Sequence, residues 1–215
     1  MGDIVIDMSV SLDGYVAGPN DTKHQGLGEN GEHLHDWLFS GTEPSRHSSF
    51  VRPEGANRAI ADRLLTTTGV MLTGRRTYDL VDGWNGDHPI KGITVVVLTH
   101  RPPATAPQGA TRFVFCDRGI DAAVKTAKAA AGEKRTIVQG ASACQQVLRA
   151  GLADEVYLHT VPIILGGGVK LFDAAEGAQG SLGMPTSGAV SPCWVEGSRP
   201  SSGRGRGMLA LGPGD

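Results

Sequence analysis

The stretch from Ile93 to Thr99 is apolar or β-branched at every position, and only Leu98 lacks a branch at Cβ. A run without polar alternation predicts a strand covered on both faces, as in a parallel sheet with crossover helices on each side. The rest of the chain is consistent with that demand. Ile4 to Val10, Val70 to Thr73, Arg112 to Phe115, Thr136 to Gln139 and Glu155 to Val161 read as further strands. Between them lie helical stretches: Asn57 to Thr67, with Ile60, Leu64 and Leu65 on one face, then Arg75 to Val81. Ile120, Ala123, Val124 and Ala127 mark a third helix at spacing i, i+3, i+4, i+7, and a fourth follows Gly140-Ala141-Ser142. Strand and helix alternate, which predicts a single-domain α/β fold built on a mostly parallel sheet.

Residues 19 to 56 lack sustained periodicity and read as a long loop with one helical turn near His35 to Leu38. After Phe172 the texture changes again. The domain is expected to span residues 1–173, and 174–215 form an atypical Gly- and Pro-rich tail, read either as flexible or as the product of a shifted reading frame.

The formal charge of −2 gives no electrostatic footprint for nucleic acid or an anionic membrane. Cys116, Cys144 and Cys193 are widely spaced and fit neither a zinc pattern nor a disulfide framework, so a reducing cytoplasm is expected and no resident metal. No basic leader precedes the first strand, and no apolar run approaches the roughly 20 residues of a membrane helix.

Some motifs match on paper only. Gly26-Leu27-Gly28-Glu29-Asn30-Gly31 satisfies G-x-G-x-x-G, but no strand delivers it and no helix start receives a diphosphate. His33 and His35, with His24 and His47 nearby, lack partners at ligand spacing and read as a solvated loop. Ser142 has no G-x-S-x-G elbow around it.

Three other segments lie where strands are expected to end, which is where open α/β sheets place ligands. Gly74, Arg75, Arg76 and Thr77 combine a glycine, two guanidinium groups and a hydroxyl. Leu98, Thr99, His100 and Arg101 bring a hydroxyl, an imidazole and a third guanidinium. Gln139, Gly140, Ala141 and Ser142 are small enough for backbone N–H groups to approach a diphosphate. Each alone could be a capped helix with solvated side chains, but together they describe a surface for a phosphate-rich nucleotide.

With Met8 to Gly18 and Pro162 to Gly168, these segments resemble the dihydrofolate reductase-like superfamily. The similarity is to its branch containing the carboxy-terminal reductase domain of bacterial riboflavin biosynthesis proteins. The resemblance implies a mostly parallel central sheet flanked by helices, NADPH as cofactor, and hydride transfer to a small pteridine- or ribosylaminopyrimidine-like heterocycle. It also implies a homodimer. Ala17, Gly74 to Thr77, Leu98 to Arg101 and Gln139 to Ser142 would hold the cofactor, with Thr99, His100 and Arg101 at the ribose 2′-phosphate. Asp13 would be the proton donor or a residue capping its own turn, and Gly14, Tyr15 and Trp84 would edge the substrate pocket. In the riboflavin enzymes the residue after the Asp-Gly pair is usually basic, which suits a phosphoribosyl substrate; here it is Tyr15. A nucleotide-binding sensor without turnover is the alternative that the same segments allow.

Overall fold

Strands β1 (Ile4–Ser11) and β2 (Tyr15–Ala17) open the chain. Then come helix α1 (Ala56–Thr67), β3 (Thr68–Gly74), helix α2 (Arg75–Leu80), β4 (Thr94–Leu98) and β5 (Arg112–Cys116). Helix α3 (Gly119–Ala131), β6 (Arg135–Gln139), helix α4 (Ala141–Arg149), β7 (Glu155–Val161) and β8 (Val169–Lys170) complete the series. The structure is a computed structural model and describes residues 2–172. The expectations for residues 174–215 lie outside the described residues.

Six strands form one sheet in the order β5-β4-β3-β6-β1-β7, and all five pairings are parallel. The two remaining short strands, β2 and β8, pair antiparallel beside it. Strand pleating sends alternate side chains to opposite faces, and the apolar runs supply both. Val96 packs with Val70, Leu72 and Val138 against Ala123, Val124 and Ala127 of α3 and Val147 of α4. Val95 and Val97 face the other way, with Met71, Ile137, Tyr78 and the α1 residues Leu64 and Leu65. On that second face, 3-10 helix Gly31–Phe39 lays Leu34 and Trp37 against Ala61 and Val161.

This arrangement explains why the Ile93–Thr99 run contains no polar alternation: both faces of β4 are interior. It also fixes the site. Parallel strands all end on the same side, so the loops after β3, β4 and β6 meet above one sheet edge. No helix among the described residues is long and apolar enough to cross a membrane.

Candidate functional site

Above the carboxyl ends of β3, β4 and β6, and against Asp7, Met8 and Ser9 of β1, lies a cleft of about 1390 Å³. It gathers all three strand-end segments: Gly74 to Thr77, Leu98 to Arg101 and Gln139 to Ser142. Ala17 and Trp84 line it as well. Segments far apart in sequence thus share one cavity, with α2 of the first crossing lining it and α3 of the second packed on the opposite face of the sheet.

The β6–α4 junction is built for close backbone approach. Gly140 has φ 88°, a conformation that costs a residue with a Cβ, and a methyl group there would come within 2.5 Å of Thr77 Oγ1. Thr73 Oγ1 donates to the Gln139 carbonyl at 2.9 Å and ties β3 to β6 at the cleft edge. Helix α4 starts with no side-chain cap, so its first-turn N–H groups open on the cleft.

The three arginines differ. Arg75 Nε donates to both oxygens of Asp79, at 2.8 and 2.9 Å, and its Nη1 donates to the Arg101 carbonyl. Arg76 makes a two-pronged pair with Asp21 of the 18–30 loop, a pairing that raises its already high pKa further. Arg101 is anchored by its backbone N–H, which donates to Thr99 Oγ1 at 3.1 Å. Its guanidinium takes no ion-pair partner among the described residues.

Asp13 and Gly14, expected at the substrate pocket, do not line the cleft, and Tyr15 lies in a depression beside it. Asp13 Oδ1 accepts from the Ser11 hydroxyl at 2.6 Å and from the Leu165 N–H, while Oδ2 accepts from the Gly166 N–H at 2.7 Å. The Ser11 hydroxyl foremost, opposed by some desolvation and aided by those N–H groups, holds the carboxyl down at about 2. An acid that is ionised throughout the neutral range and fully engaged by donors is no proton donor. It fastens the β1–β2 turn to the loop after β7. Gly14, at φ 88°, lets that turn close. Tyr15 lines a shallow depression that adjoins the cleft at Ala141, Ser142 and Val169, and the Lys170 ammonium lies 5.5 Å from its ring centre.

A second group in the cleft escaped the sequence reading. Asp7 and Ser9 of β1 and His159 of β7 share one side of the sheet, through the register Asp7↔Tyr157 and Ser9↔His159. His159 Nε2 lies 3.0 Å from Asp7 Oδ1. Trp37 stacks on the His159 ring at 4.6 Å and donates its indole N–H to Ser9 Oγ at 2.9 Å. His35, two residues earlier, also lines the cleft, and burial together with the nearby His159 pulls its pKa down. The signal in β1 was legible: Asp7, Ser9 and Ser11 alternate with Ile6, Met8 and Val10. The partner on β7 was not, because pairing across 152 residues leaves no local trace.

The glycine-rich Gly26–Gly31 stretch is a loop that enters no strand-to-helix phosphate turn, although Gly26 and Gly28 line the cleft. His33 pairs at the surface with Asp36, which raises its pKa. Among the described residues no three potential ligands come close enough to hold a metal ion.

Comparison with known proteins agrees with this architecture. A protein of Bacillus subtilis (strain 168), "Uncharacterized protein YwjB", is 26% identical over 170 residues, covering 78% of this chain and 81% of its own. The crystal structure of a "Putative riboflavin biosynthesis protein" from Shewanella sp. PV-4 superposes with a TM-score of 0.54 at 26% identity, over 82% of this chain and 86% of that one. Dihydrofolate reductase from Enterococcus faecalis, complexed with NADP(H) and RAB-propyl, gives 0.46 at 13% identity over 80% and 78%. The model of the RibD C-terminal domain matches residues 3–184. With that match across most of its length and a six-stranded parallel sheet ending in a single cleft, the chain belongs to the RibD C-terminal domain family.

Proposed function

We propose that the protein is an NADPH-dependent reductase acting on a small heterocyclic substrate. The observation that carries this reading is one cleft with two chemically distinct halves. Its volume of about 1390 Å³ exceeds the roughly 300–1,000 Å³ of a single small-ligand pocket, leaving room for cofactor and substrate together.

The residues present fit the cofactor. The uncapped first turn of α4 offers N–H groups and a positive dipole end to a diphosphate, and Gly140 keeps the approach open. Thr99, His100 and Arg101 offer a hydroxyl, an imidazole and an unpaired guanidinium to a 2′-phosphate. Arg75 and Arg76, already paired with Asp79 and Asp21, serve this reading as a scaffold, holding the Arg101 backbone and the 18–30 loop. When bound, NADPH would supply a hydride for an electron-poor C=N or C=O. The chain's part is to orient the two molecules and to keep water from the reacting atoms. Trp84 and Trp37 supply the apolar walls.

Fluorescence titration tests the reading. NADPH is expected to bind well above NADH, and NADPH oxidation is expected with at least one member of a panel of pterins, pyrimidines and quinones. A folded sample that binds neither cofactor rejects the proposal. Binding without turnover on any acceptor favours the sensor alternative.

A further inference from the structure

Between α2 and β4 the chain makes a turn of the hand opposite to its helices. Asp82, Gly83, Trp84 and Asn85 have φ of 48°, 54°, 50° and 50°, and Gly86 follows at 89°. Gly83, Trp84 and Asn85 combine this with ψ of 33°, 27° and 28°, so successive residues lie in the left-handed region. Glycine enters that region freely, and asparagine and aspartate enter it at modest cost. Tryptophan does not, because its Cβ crowds the following carbonyl and its bulky side chain offers no local hydrogen bond in return.

The surroundings impose this conformation. A Cβ at Gly83 would come within 2.9 Å of the Tyr78 ring, and one at Gly86 within 2.3 Å of the Gln108 carbonyl oxygen. The Trp84 N–H donates to the Val81 carbonyl at 2.8 Å, and the Trp84 carbonyl accepts from the Asp87 N–H at 2.9 Å. The Gly86 carbonyl accepts from the Thr111 N–H at 2.9 Å and ties the turn to the entry of β5. Glycine or asparagine at position 84 would keep every one of these bonds with less strain. What the strained residue adds is its indole. That ring meets His88 edge-on and also lines the cleft, where Leu80 and Val81 beside it are apolar. Strain that the surroundings hold in place is characteristic of residues kept for function.

We propose that Trp84 is a specificity-determining residue: the left-handed turn Asp82–Gly86 holds its indole on the cleft wall, and the indole selects ligands with a flat aromatic ring over saturated or open-chain ones. Aromatic pairs gain from offset or edge-to-face contact beyond the area they bury, and a puckered ring forfeits that gain. The proposal rests on the reading of the cleft as the place of a hydride acceptor. It deepens that reading by requiring the acceptor to be flat and aromatic where it meets Trp84.

Calorimetric titration of the full chain tests this with two probes, quinazolin-4-one and its derivative with the carbocyclic ring saturated. They share the hydrogen-bonding ring and differ in whether the second ring is flat or puckered. The flat compound is expected to bind roughly three- to tenfold more tightly, the range of an aromatic pair. Trp84→Phe should keep that preference, and Trp84→Leu, apolar but without a π face, should erase it. Melting curves test the strain separately. Trp84→Gly should melt roughly 2–6 °C above Trp84→Ala, since both lose the indole and only glycine is free at φ 50°. Equal binding of the two probes, a retained preference in a folded Trp84→Leu protein, or Trp84→Gly melting no higher than Trp84→Ala overturns the proposal. If Trp84→Leu does not fold, Trp84→Gly takes its place in the titration. A flat-ring preference that vanishes with the indole, in a protein that binds no NADPH, would sink the reductase reading and leave the role of Trp84 standing. Normal NADPH binding without the preference does the reverse.

Discussion

Two of the cleft's three arginines are committed to carboxylates, so discrimination between cofactors falls to Arg101. Its side chain lies beyond the end of β4 and supports no packing of the core. Arg101→Ala should therefore leave the melting temperature nearly unchanged and cost roughly 1.5–3 kcal/mol of NADPH binding, the value of a charge-assisted contact. NADH binding should barely move, and equal losses for both cofactors in parallel titrations would place the 2′-phosphate elsewhere. Asp13 carries the opposite expectation. Its carboxyl sits at about 2 in the folded chain, below its ordinary range, so its contribution is whole above about pH 4 and fades as pH falls through 2. Asp13→Asn should lower stability by a constant margin from pH 7 to about 4, with a shrinking margin below that and unaltered NADPH affinity. Denaturant melts at several pH values read this directly. Asp-Gly pairs favour tight turns, so a turn role was legible for Asp13. Its remote donors, Leu165 and Gly166, were not, being 152 and 153 residues away.

At the scale of elements, what a sequence shows depends on how many periods an element has. Glu155–Val161, α3 and the β4 run are long enough for their patterns to stand out, and their observed bounds differ from the expected ones by a residue or so at most. Strands β2 and β8 have three and two residues and present no period at all. The Gly31–Phe39 helix was expected as one turn near His35 because its buried residues, Gly31, Leu34 and Trp37, recur every three positions. That is the eclipsed spacing of a 3-10 helix, which a search for a 3.6-residue period does not reward. The start of α4 was legible, since Gly140-Ala141-Ser142 follows a strand and opens a helix. Gly140→Ala should both strain φ 88° and push the new methyl into Thr77 Oγ1. The expected result is destabilisation of about 1–3 kcal/mol with at least tenfold weaker NADPH binding. A variant that binds NADPH normally would show that the diphosphate does not approach this junction.

At the scale of the whole molecule, the cleft joins three strand ends, the 18–30 loop and three short helices, so a ligand filling it should stabilise the fold as a unit. NADPH at a hundred times its dissociation constant should add about 2.7 kcal/mol, or roughly 5–10 °C in melting temperature for a chain this long. NADH at the same concentration should give far less. Acid should act in the other direction through His88. Burial holds its imidazole down at about 4, and its Nδ1 accepts from the Ile90 N–H at 3.0 Å, a bond that only the unprotonated nitrogen can take. Trp84 lies edge-on to the ring at 4.6 Å, and the His88 backbone N–H donates to Thr111 Oγ1, so this residue helps fasten the connection before β4 to the entry of β5. Because its folded pKa lies below the ordinary 6.5, the unfolded chain takes up the proton first. The stabilisation is complete above pH 6.5, declines as pH falls, and is gone near pH 4, a total of about 3 kcal/mol. His88→Asn retains an acceptor for Ile90 and cannot titrate. Its stability should stay level across pH 6.5 to 4 apart from the carboxylates it shares with the parent, so the difference between the two proteins isolates the imidazole. If both lose stability in parallel over that window, His88 is not buried in its neutral form and the acid sensitivity of the β4–β5 layer arises elsewhere.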